Sequence, residues 1–324
     1  MCIRDRYNGL FTTHYNLKNY EQSDFFGHQA VAMAQKYLPD DHLESLKSQN
    51  NLGVLLSQQG NYDLALEQYK KVLKIKQENQ INKESIEVTL ANLASVYAKK
   101  GDFDEAIRYQ SQGLDILMDT FGLNYPRTLQ NLYSLSTRYD SKLELETTVQ
   151  LLEKCLNGLT NFPGEQFSIR TSIKAYQSLA NIYLTKNQPE KSLSFTNKAL
   201  ALQQGKKPYK LFISYELLGR YHLYKKEYVK AEEFLNKSIE KRVARYHKFT
   251  NHRYIAVGYF ELAKLYQAEG DYQKALDTYQ LTLQKLTPGF KSSDLNDNPH
   301  AADILSMREG VSILKAKALS LIHI

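Results

Sequence analysis

Hydrophobic and polar residues follow the period of an α-helix along most of this chain, with apolar residues recurring at i, i+3, i+4 and i+7. In the stretch from Asn51 to Ile75, "NLGVLLSQQGNYDLALEQYKKVLKI", two such segments are separated by the turn signal Gly60-Asn61. The strict apolar–polar alternation that is typical of β-strands is almost absent. The pattern therefore predicts an all-α protein built from pairs of short amphipathic helices.

The pair of helices is a repeating unit. Aligning this stretch on the rest of the chain places one equivalent leucine, here called the key leucine, in each of seven copies. Successive key leucines are separated by 42, 41, 39, 47, 39 and 44 residues. They are Leu10, Leu52, Leu93, Leu132, Leu179, Leu218 and Leu262. A period of this size indicates an array of one supersecondary unit.

Small residues indicate where the two helices of a copy cross, because helix backbones approach closely only where the crossing side chains are small. On the first helix, the small residues directly after the key leucine are Gly53, Ala94, Ala180, Gly219 and Ala263. On the second helix, the equivalent residues are Ala65, Ala106, Ala231 and Ala275. Aromatic residues around these alanines, among them Tyr69 and Tyr279, are predicted to fill the space between neighbouring hairpins.

This combination of a leucine, a small residue, a turn glycine, an aromatic residue and an alanine resembles the tetratricopeptide repeat. The long period and the segments "NLG" and "ANLA" are similar to repeats of the kinesin-light-chain type. The resemblance covers Tyr7 to Gly289 and implies an all-α, right-handed α-solenoid of about seven helical hairpins plus a partial eighth. The hairpins are expected at about residues 7–39, 43–80, 84–120, 126–160, 171–204, 210–247 and 253–287, with a loop and the partial repeat at 290–319.

Two copies depart most from the pattern. The fourth copy has a longer turn and Thr148 where an alanine is expected, and the fifth has Asn187 and Pro189 in its turn and Ser192 for the alanine. Local unfolding is therefore predicted to begin between Leu132 and Ala201.

In such arrays the first helices line a concave groove. Positions five before, one before, two after and six after the key leucine share one side of the first helix, at about 100° per residue. An asparagine amide can bracket a peptide unit, and Lys or Arg can hold a carboxylate. The resemblance implies that groove asparagines contact an extended ligand, so the groove is predicted to bind an extended, acidic peptide. The predicted peptide-binding residues are Lys47, Asn51, Asn92, Lys99, Asn131, Arg138, Lys174, Asn181, Arg220 and Lys264.

The alternative for the asparagines is structural. Asn51, Asn92 and Asn131 occupy the same position in three successive copies. They would then hydrogen-bond neighbouring first helices and stiffen the array instead of contacting a ligand.

Composition narrows the class of protein. Lys and Arg exceed Asp and Glu by seven, which favours acidic partners but falls short of the dense basic stripe of a nucleic-acid binder. The two cysteines are isolated, and the histidines lack metal-ligand spacing, so no metal or other cofactor is expected. His14, His222 and Cys155 are interpreted as packing residues. No catalytic motif is present, and a non-enzymatic, cytoplasmic protein without membrane association is predicted.

A basic segment from Lys237 to Arg253, "KSIEKRVARYHKFTNHR", has two interpretations. Basic residues interleaved with aromatic ones can follow a phosphate backbone. They also suit the C-terminal end of a helix and a solvated surface. The second interpretation is favoured, and no nucleic-acid partner is expected.

The last part of the chain suggests two further functions. Leu286 to Leu321 resembles the final repeats of bacterial tetratricopeptide proteins that end in a CHAT domain, a caspase-like cysteine peptidase module. This implies, as an alternative, a substrate-recruiting or regulatory region of such a peptidase. A second alternative is self-association of a scaffold through an apolar stripe on an incomplete eighth hairpin. The stripe comprises Ile304, Leu305, Ile313 and Leu314.

Both ends of the chain look foreign to the repeats. Residues 1–6, "MCIRDR", and residues 320–324, "SLIHI", continue no periodicity and resemble translated sequencing adapters. They are expected to be non-native, and the chain is expected to be a fragment of a longer protein.

Overall fold

The protein was analysed as a computed structural model that describes residues 3–16, 20–204, 210–246, 252–300, 304 and 307–321. Every regular element in these ranges is an α-helix. The helices are α1 (Ile3–Asn16), α2 (Tyr20–Tyr37), α3 (Leu43–Gln58), α4 (Tyr62–Glu78), α5 (Lys83–Lys100), α6 (Phe103–Phe121), α7 (Pro126–Ser141), α8 (Leu145–Leu159), α9 (Gln166–Thr185), α10 (Pro189–Leu202), α11 (Leu211–Tyr224), α12 (Tyr228–Tyr246), α13 (Arg253–Glu269), α14 (Tyr272–Leu286) and α15 (Met307–Leu321). The prediction of an all-α array of seven hairpins and a partial eighth is confirmed.

The chain divides into two compact units, Met1–Ser168 and Ile169–Ile324. The N-terminal unit contains the hairpins α1–α2, α3–α4, α5–α6 and α7–α8. The C-terminal unit contains most of α9 together with α10, the hairpins α11–α12 and α13–α14, and the single helix α15. Helix α1 already begins at Ile3, inside the segment expected to be foreign, while residues 1–2 and 322–324 lie outside the described ranges.

The small residues that the pattern singled out lie in the core of each hairpin. Ala65, Ala106, Ala231 and Ala275 are fully buried, as are Ala94, Ala180 and Ala263. The approach is close at Gly53, where an added Cβ would lie 2.6 Å from the ring of Tyr69. Tyr69 is itself only 1% exposed. Small residues therefore let the helices of a hairpin nest, and a buried aromatic ring completes the packing.

Salt bridges on the surface join successive hairpins at a recurring position. Lys100 and Lys142, at the ends of α5 and α7, pair with Asp63 and Asp104 near the starts of α4 and α6. In the C-terminal unit, Lys225 pairs with Glu190 in the same way at 2.7 Å. The acidic partners are mostly exposed, so solvent screens each bridge and its contribution to stability is small.

The apolar stripe near the C-terminus was expected to be exposed, but the structure buries part of it. Ile304 and Ile313 are buried in a core that includes Ala263 and Tyr279 of α13 and α14, and Leu314 packs against that core. Leu305 lies outside the described residues. Helix α15 covers the preceding hairpin, so Ile304 and Ile313 offer no free surface for a second chain.

Candidate functional site

The side of the first helices that was predicted to bind peptide is best defined in the N-terminal unit, where α3, α5 and α7 carry it. A cavity of about 180 Å³ opens on this side among α3, α4 and α5. Its apolar part is formed by Val54, Tyr69 and Val96, and its polar part by Ser57, Gln58, Asn92, Ser95 and Lys99. Two of the predicted residues, Asn92 and Lys99, therefore line one cavity together.

Asn92 has an unused hydrogen-bonding capacity. Its side chain is half-buried in the cavity wall, and within the described ranges no protein group bonds to its amide. A half-buried amide has two donors and an acceptor to offer, and here water or a ligand must satisfy them.

Lys99 is held in the same wall by neutral groups. Its ammonium group donates to the hydroxyl of Ser57 at 2.8 Å and to the Ser57 carbonyl at 3.4 Å. Partial burial lowers the pKa of Lys99, and no carboxylate among the described residues offsets this cost. An anionic group at this position would complete the charge balance.

Arg138 lies on α7, five residues before the turn residue Leu143, whereas Lys99 lies two residues before the turn residue Gly101. The two cations therefore occupy different positions relative to the turn. The Nε atom of Arg138 is buried without a partner, and burial lowers the pKa of its guanidinium group. A buried guanidinium without a paired carboxylate is costly, which makes this group a candidate anion binder.

Two of the three predicted asparagines are engaged in the protein itself. Asn51 donates to the side chain of Asn8 on α1 at 3.0 Å. Asn131 is 4% exposed and donates to the carboxylate of Glu87 on α5 at 3.2 Å. These bonds join neighbouring first helices, as the structural alternative predicts. Of the three asparagines, Asn92 alone has no side-chain hydrogen bond among the described residues, although the Oδ1 atom of Asn131 also lacks a partner there.

Glu87 is a polar residue at a core position that the sequence reasoning did not single out. It is 2% exposed, burial raises the pKa of its carboxyl group, and Arg127 counteracts this with an ion pair of 2.6 Å. Gly113 on α6 leaves room for this cluster, since an added Cβ would lie 3.4 Å from both Asn131 and Glu87. The sequence does carry a signal for Glu87, because it is a charged residue at a position where most other copies have an apolar one.

Three of the four predicted residues of the C-terminal unit, Asn181, Arg220 and Lys264, are joined in one internal network. Arg220 donates to Asn181 at 2.7 Å and lies 3.8 Å from the carboxylate of Glu261. Lys264 donates to the same carboxylate at 3.0 Å. The charges of these residues are therefore compensated within the protein.

The remaining predicted residues lie apart from the cavity. Lys47 is exposed and pairs with Glu44 at 2.6 Å. Lys174 is half-buried on α9, where burial and then the charge of Arg170 lower its pKa.

Other candidate chemistry has structural explanations. Cys155 is fully buried, and burial raises the pKa of its thiol to about 12. His222 bonds to Glu227 at 2.7 Å and stacks on Phe234. Within the described ranges, no group of His, Cys, Asp or Glu side chains is arranged to hold a metal ion. None of the helices described has the length and apolar character to cross a bilayer.

The basic segment near the end of α12 is largely paired. Lys237 and Lys241 bond to Glu233 and Glu240, and Arg242 is buried against Glu216. His247 and Lys248 lie outside the described residues. These contacts favour the structural interpretation of the segment.

Comparisons with known proteins identify the repeat. Tetratricopeptide repeat models match residues 7–78 and 85–161, residues 173–205 and residues 259–291, which together exceed half of the chain. No curated protein sequence matches the chain.

Several solved structures share the fold. A tetratricopeptide repeat protein from Parabacteroides merdae has a TM-score of 0.59 at 14% identity, covering 97% of this chain and 98% of that one. BtubC (BKLC) from P. vanneervenii has a TM-score of 0.55 at 14% identity, covering 78% and 96%. The repeats of a putative kinesin light chain from Podospora anserina have a TM-score of 0.52 at 20% identity, covering 61% and 94%. At these identities the likeness shows the fold alone.

Proposed function

Because the chain belongs to the tetratricopeptide repeat family, whose arrays act as protein-interaction scaffolds, we propose that its N-terminal unit binds an extended, acidic peptide segment along α3, α5 and α7. The observation that carries the proposal is the pair of cations Lys99 and Arg138. They lie on consecutive first helices, and no carboxylate among the described residues pairs with either. A carboxylate on the ligand would supply the missing partner.

Asn92 and the cavity complete the proposed site. The amide of Asn92 can bracket one peptide unit of the ligand, while Lys99 and Arg138 hold acidic side chains on either side of it. The mechanism is complementarity of shape, hydrogen bonds and charge on a preformed surface, with no covalent step. Compensated residues such as Asn131 and Arg220 are assigned structural roles.

The test begins with selection of binders from a random-sequence peptide display on the full chain. Selected peptides are expected to be enriched in Asp and Glu. Arg138→Gln should weaken the best of them by roughly tenfold or more, because a charge-assisted hydrogen bond contributes about 1.5–3 kcal/mol. Binding is measured by isothermal titration calorimetry at two salt concentrations.

The matched control is Lys71→Gln, which removes one exposed positive charge from the second helix α4. It should leave the affinity unchanged apart from a small long-range effect. Selected peptides without acidic residues, or equal losses in both variants, would refute the proposal. Asn92→Ala should weaken the same peptide without lowering the thermal midpoint.

Two alternative functions stay predictions. A recruiting region for a CHAT-type peptidase rests on the sequence of Leu286 to Leu321, and reading the coding sequence downstream of the known segment for a His and Cys pair would test it. Self-association is tested by sedimentation with and without residues 306–324, although the burial of Ile304 and Ile313 removes most of the stripe on which it depended. A cytoplasmic location is likewise a prediction.

A further inference from the structure

A short loop between α14 and α15 is held by side chains of both helices. The loop comprises residues 291–298, "KSSDLNDN". Helix α14 contributes Gln280 and Gln284, and helix α15 contributes Lys317. None of these three was a predicted binding residue. The loop and both helices belong to the C-terminal unit.

The two glutamines bind the backbone of the loop. The amide of Gln280 donates to the carbonyl of Ser292 at 2.9 Å and to that of Asp294 at 2.8 Å. The amide of Gln284 also donates to the Ser292 carbonyl at 2.9 Å. These bonds recognise main-chain groups that any peptide carries, so they do not require the side chains of this particular loop.

The ammonium group of Lys317 holds the far end of the loop. It donates to the carbonyl of Asp297 at 2.9 Å, to Oδ1 of Asn298 at 3.1 Å and to Oε1 of Gln280 at 2.6 Å. Burial lowers the pKa of Lys317, and the negative charges of Asp294 and Asp297 counteract that shift. The acidic character of the loop therefore suits the cation beneath it.

The surface under the loop favours an occupant that supplies hydrogen-bond acceptors. Gln280 and Lys317 are each only 2% exposed. Without the loop, Lys317 would keep its bond to Gln280 alone, and the amide of Gln280 would lose every acceptor that the described residues provide for it. Leaving a buried ammonium group and a buried amide without partners costs free energy.

The loop itself contributes little apolar packing. All its side chains are exposed or half-buried, including that of its one apolar residue, Leu295. The hydroxyl of Ser292 donates to the carboxylate of Asp297 at 2.6 Å, and the N–H of Asp297 donates to the carbonyl of Asp294 at 3.1 Å, which makes the loop a compact turn. A segment held by polar contacts, without a buried apolar anchor, opens at lower cost than the helices that flank it.

We propose that residues 291–298 occupy, and thereby block, a surface of α14 and α15 that binds an acidic peptide turn of a partner protein. The partner presents several backbone carbonyls from one turn and carries Asp or Glu side chains near Lys317, as the loop does. The loop is an intramolecular competitor with a high effective concentration, so a partner binds well only when the loop is weakened. The inference does not depend on the peptide-binding proposal, because it concerns other helices in the other unit.

The probe is a fluorescein-labelled synthetic peptide with the sequence of residues 290–299, and its binding to the full chain is measured by fluorescence anisotropy. A chain in which a Gly/Ser linker of equal length replaces residues 291–298 should bind the probe at least roughly tenfold more tightly than the parent, because the competitor is gone. In that chain, Lys317→Met should weaken binding by at least roughly tenfold, since it removes a buried charge-assisted donor. The matched control is Lys315→Met, at an exposed position on the same helix, which should leave binding unchanged.

A second variant keeps the backbone of the loop. Ser292→Ala with Asn298→Ala removes the hydroxyl bond to Asp297 and one acceptor of Lys317, so this chain should also bind the probe more tightly than the parent. Circular dichroism should show the helix content of the parent in both loop variants.

No gain of binding in either loop variant, or equal effects of Lys317→Met and Lys315→Met, would overturn the proposal. A dimer of the parent in sedimentation that both loop variants lose would assign the surface to the loop of a second copy and would overturn the partner.

Discussion

At the residue scale, one position in the turn between the two helices of a hairpin is occupied by glycine in some copies and by a larger residue in others. Gly60, Gly101 and Gly270 adopt positive φ there, as glycine does without strain. The fourth, fifth and sixth copies place Leu143, Asn187 and Lys226 at the corresponding turn, also with positive φ. Asparagine tolerates this conformation, but a leucine does not, so the strain is greatest at Leu143.

Leu143→Gly is expected to stabilise the protein by about 0.5–1 kcal/mol, because relief of the left-handed strain exceeds the extra entropy of glycine in the unfolded chain. The side chain is 75% exposed, so little packing is lost. Urea unfolding followed by circular dichroism measures the change. Leu143→Ala, which keeps the strain, is the control, and an equal gain in both variants would contradict the explanation.

At the element scale, one buried lysine joins three helices. Lys76 on α4 is 1% exposed and donates to the carbonyl of Ser85 and the hydroxyl of Thr89 on α5, both at 2.9 Å. Asn50 on α3 donates to the same hydroxyl at 3.2 Å. The acceptors are neutral, so burial lowers the pKa of Lys76 to about 8, with a further contribution from the charge of Lys47.

This pKa predicts a specific pH dependence of stability. Below pH 8 the folded state carries the full cost of burying the charge, whereas between pH 8 and about 10.4 the folded state loses the proton first, so the free energy of unfolding rises with pH. The rise is about 3 kcal/mol at most.

Lys76→Met should remove that rise. Urea unfolding of the variant and the parent at pH 7 and pH 10 isolates the contribution, since other lysines and tyrosines titrate in both proteins. Lys71→Met, at an exposed position on the same helix, should retain the rise. A difference between parent and Lys76→Met that is the same at both pH values would show that the buried ammonium is not the cause.

At the scale of the whole molecule, stability in a repeat array is carried by each hairpin and its neighbours, so weak copies set where opening starts. The fourth and fifth copies have polar residues at the helix crossing, and the fourth copy adds the strained turn at Leu143. Thr148 and Ser192 are buried where other copies have alanine, and the hydroxyl of Ser192 has no hydrogen-bond partner among the described residues. Each feature costs energy that the alanine copies do not lose.

Amides of α7, α8 and α10 are therefore expected to exchange with solvent faster than those of α5, α6, α13 and α14. The difference should be roughly tenfold or more, corresponding to about 1.4 kcal/mol. Native-state hydrogen exchange with mass spectrometry measures it. If Leu132 to Ala201 is the best-protected region, the assignment of weak copies is wrong.

The sequence by itself determined the repeat, the helices and the residues at their crossings. The burial of Gly53, Ala94 and Ala106 at helix crossings could be predicted, because a crossing depends on local periodicity and side-chain size. Both can be read directly from the sequence. The same periodicity predicted that Asn92 and Lys99 share one side of α5, and both line the cavity there.

Only the tertiary structure decided which polar residues remain available to a ligand. Asn131 donates to Glu87, and Arg220 contacts Asn181 and Glu261, whereas the Nε atom of Arg138 is buried without a partner among the described residues. Pairing between side chains on different hairpins depends on burial and on interatomic distances that differ by only a few ångströms. The periodicity of a single helix does not specify either.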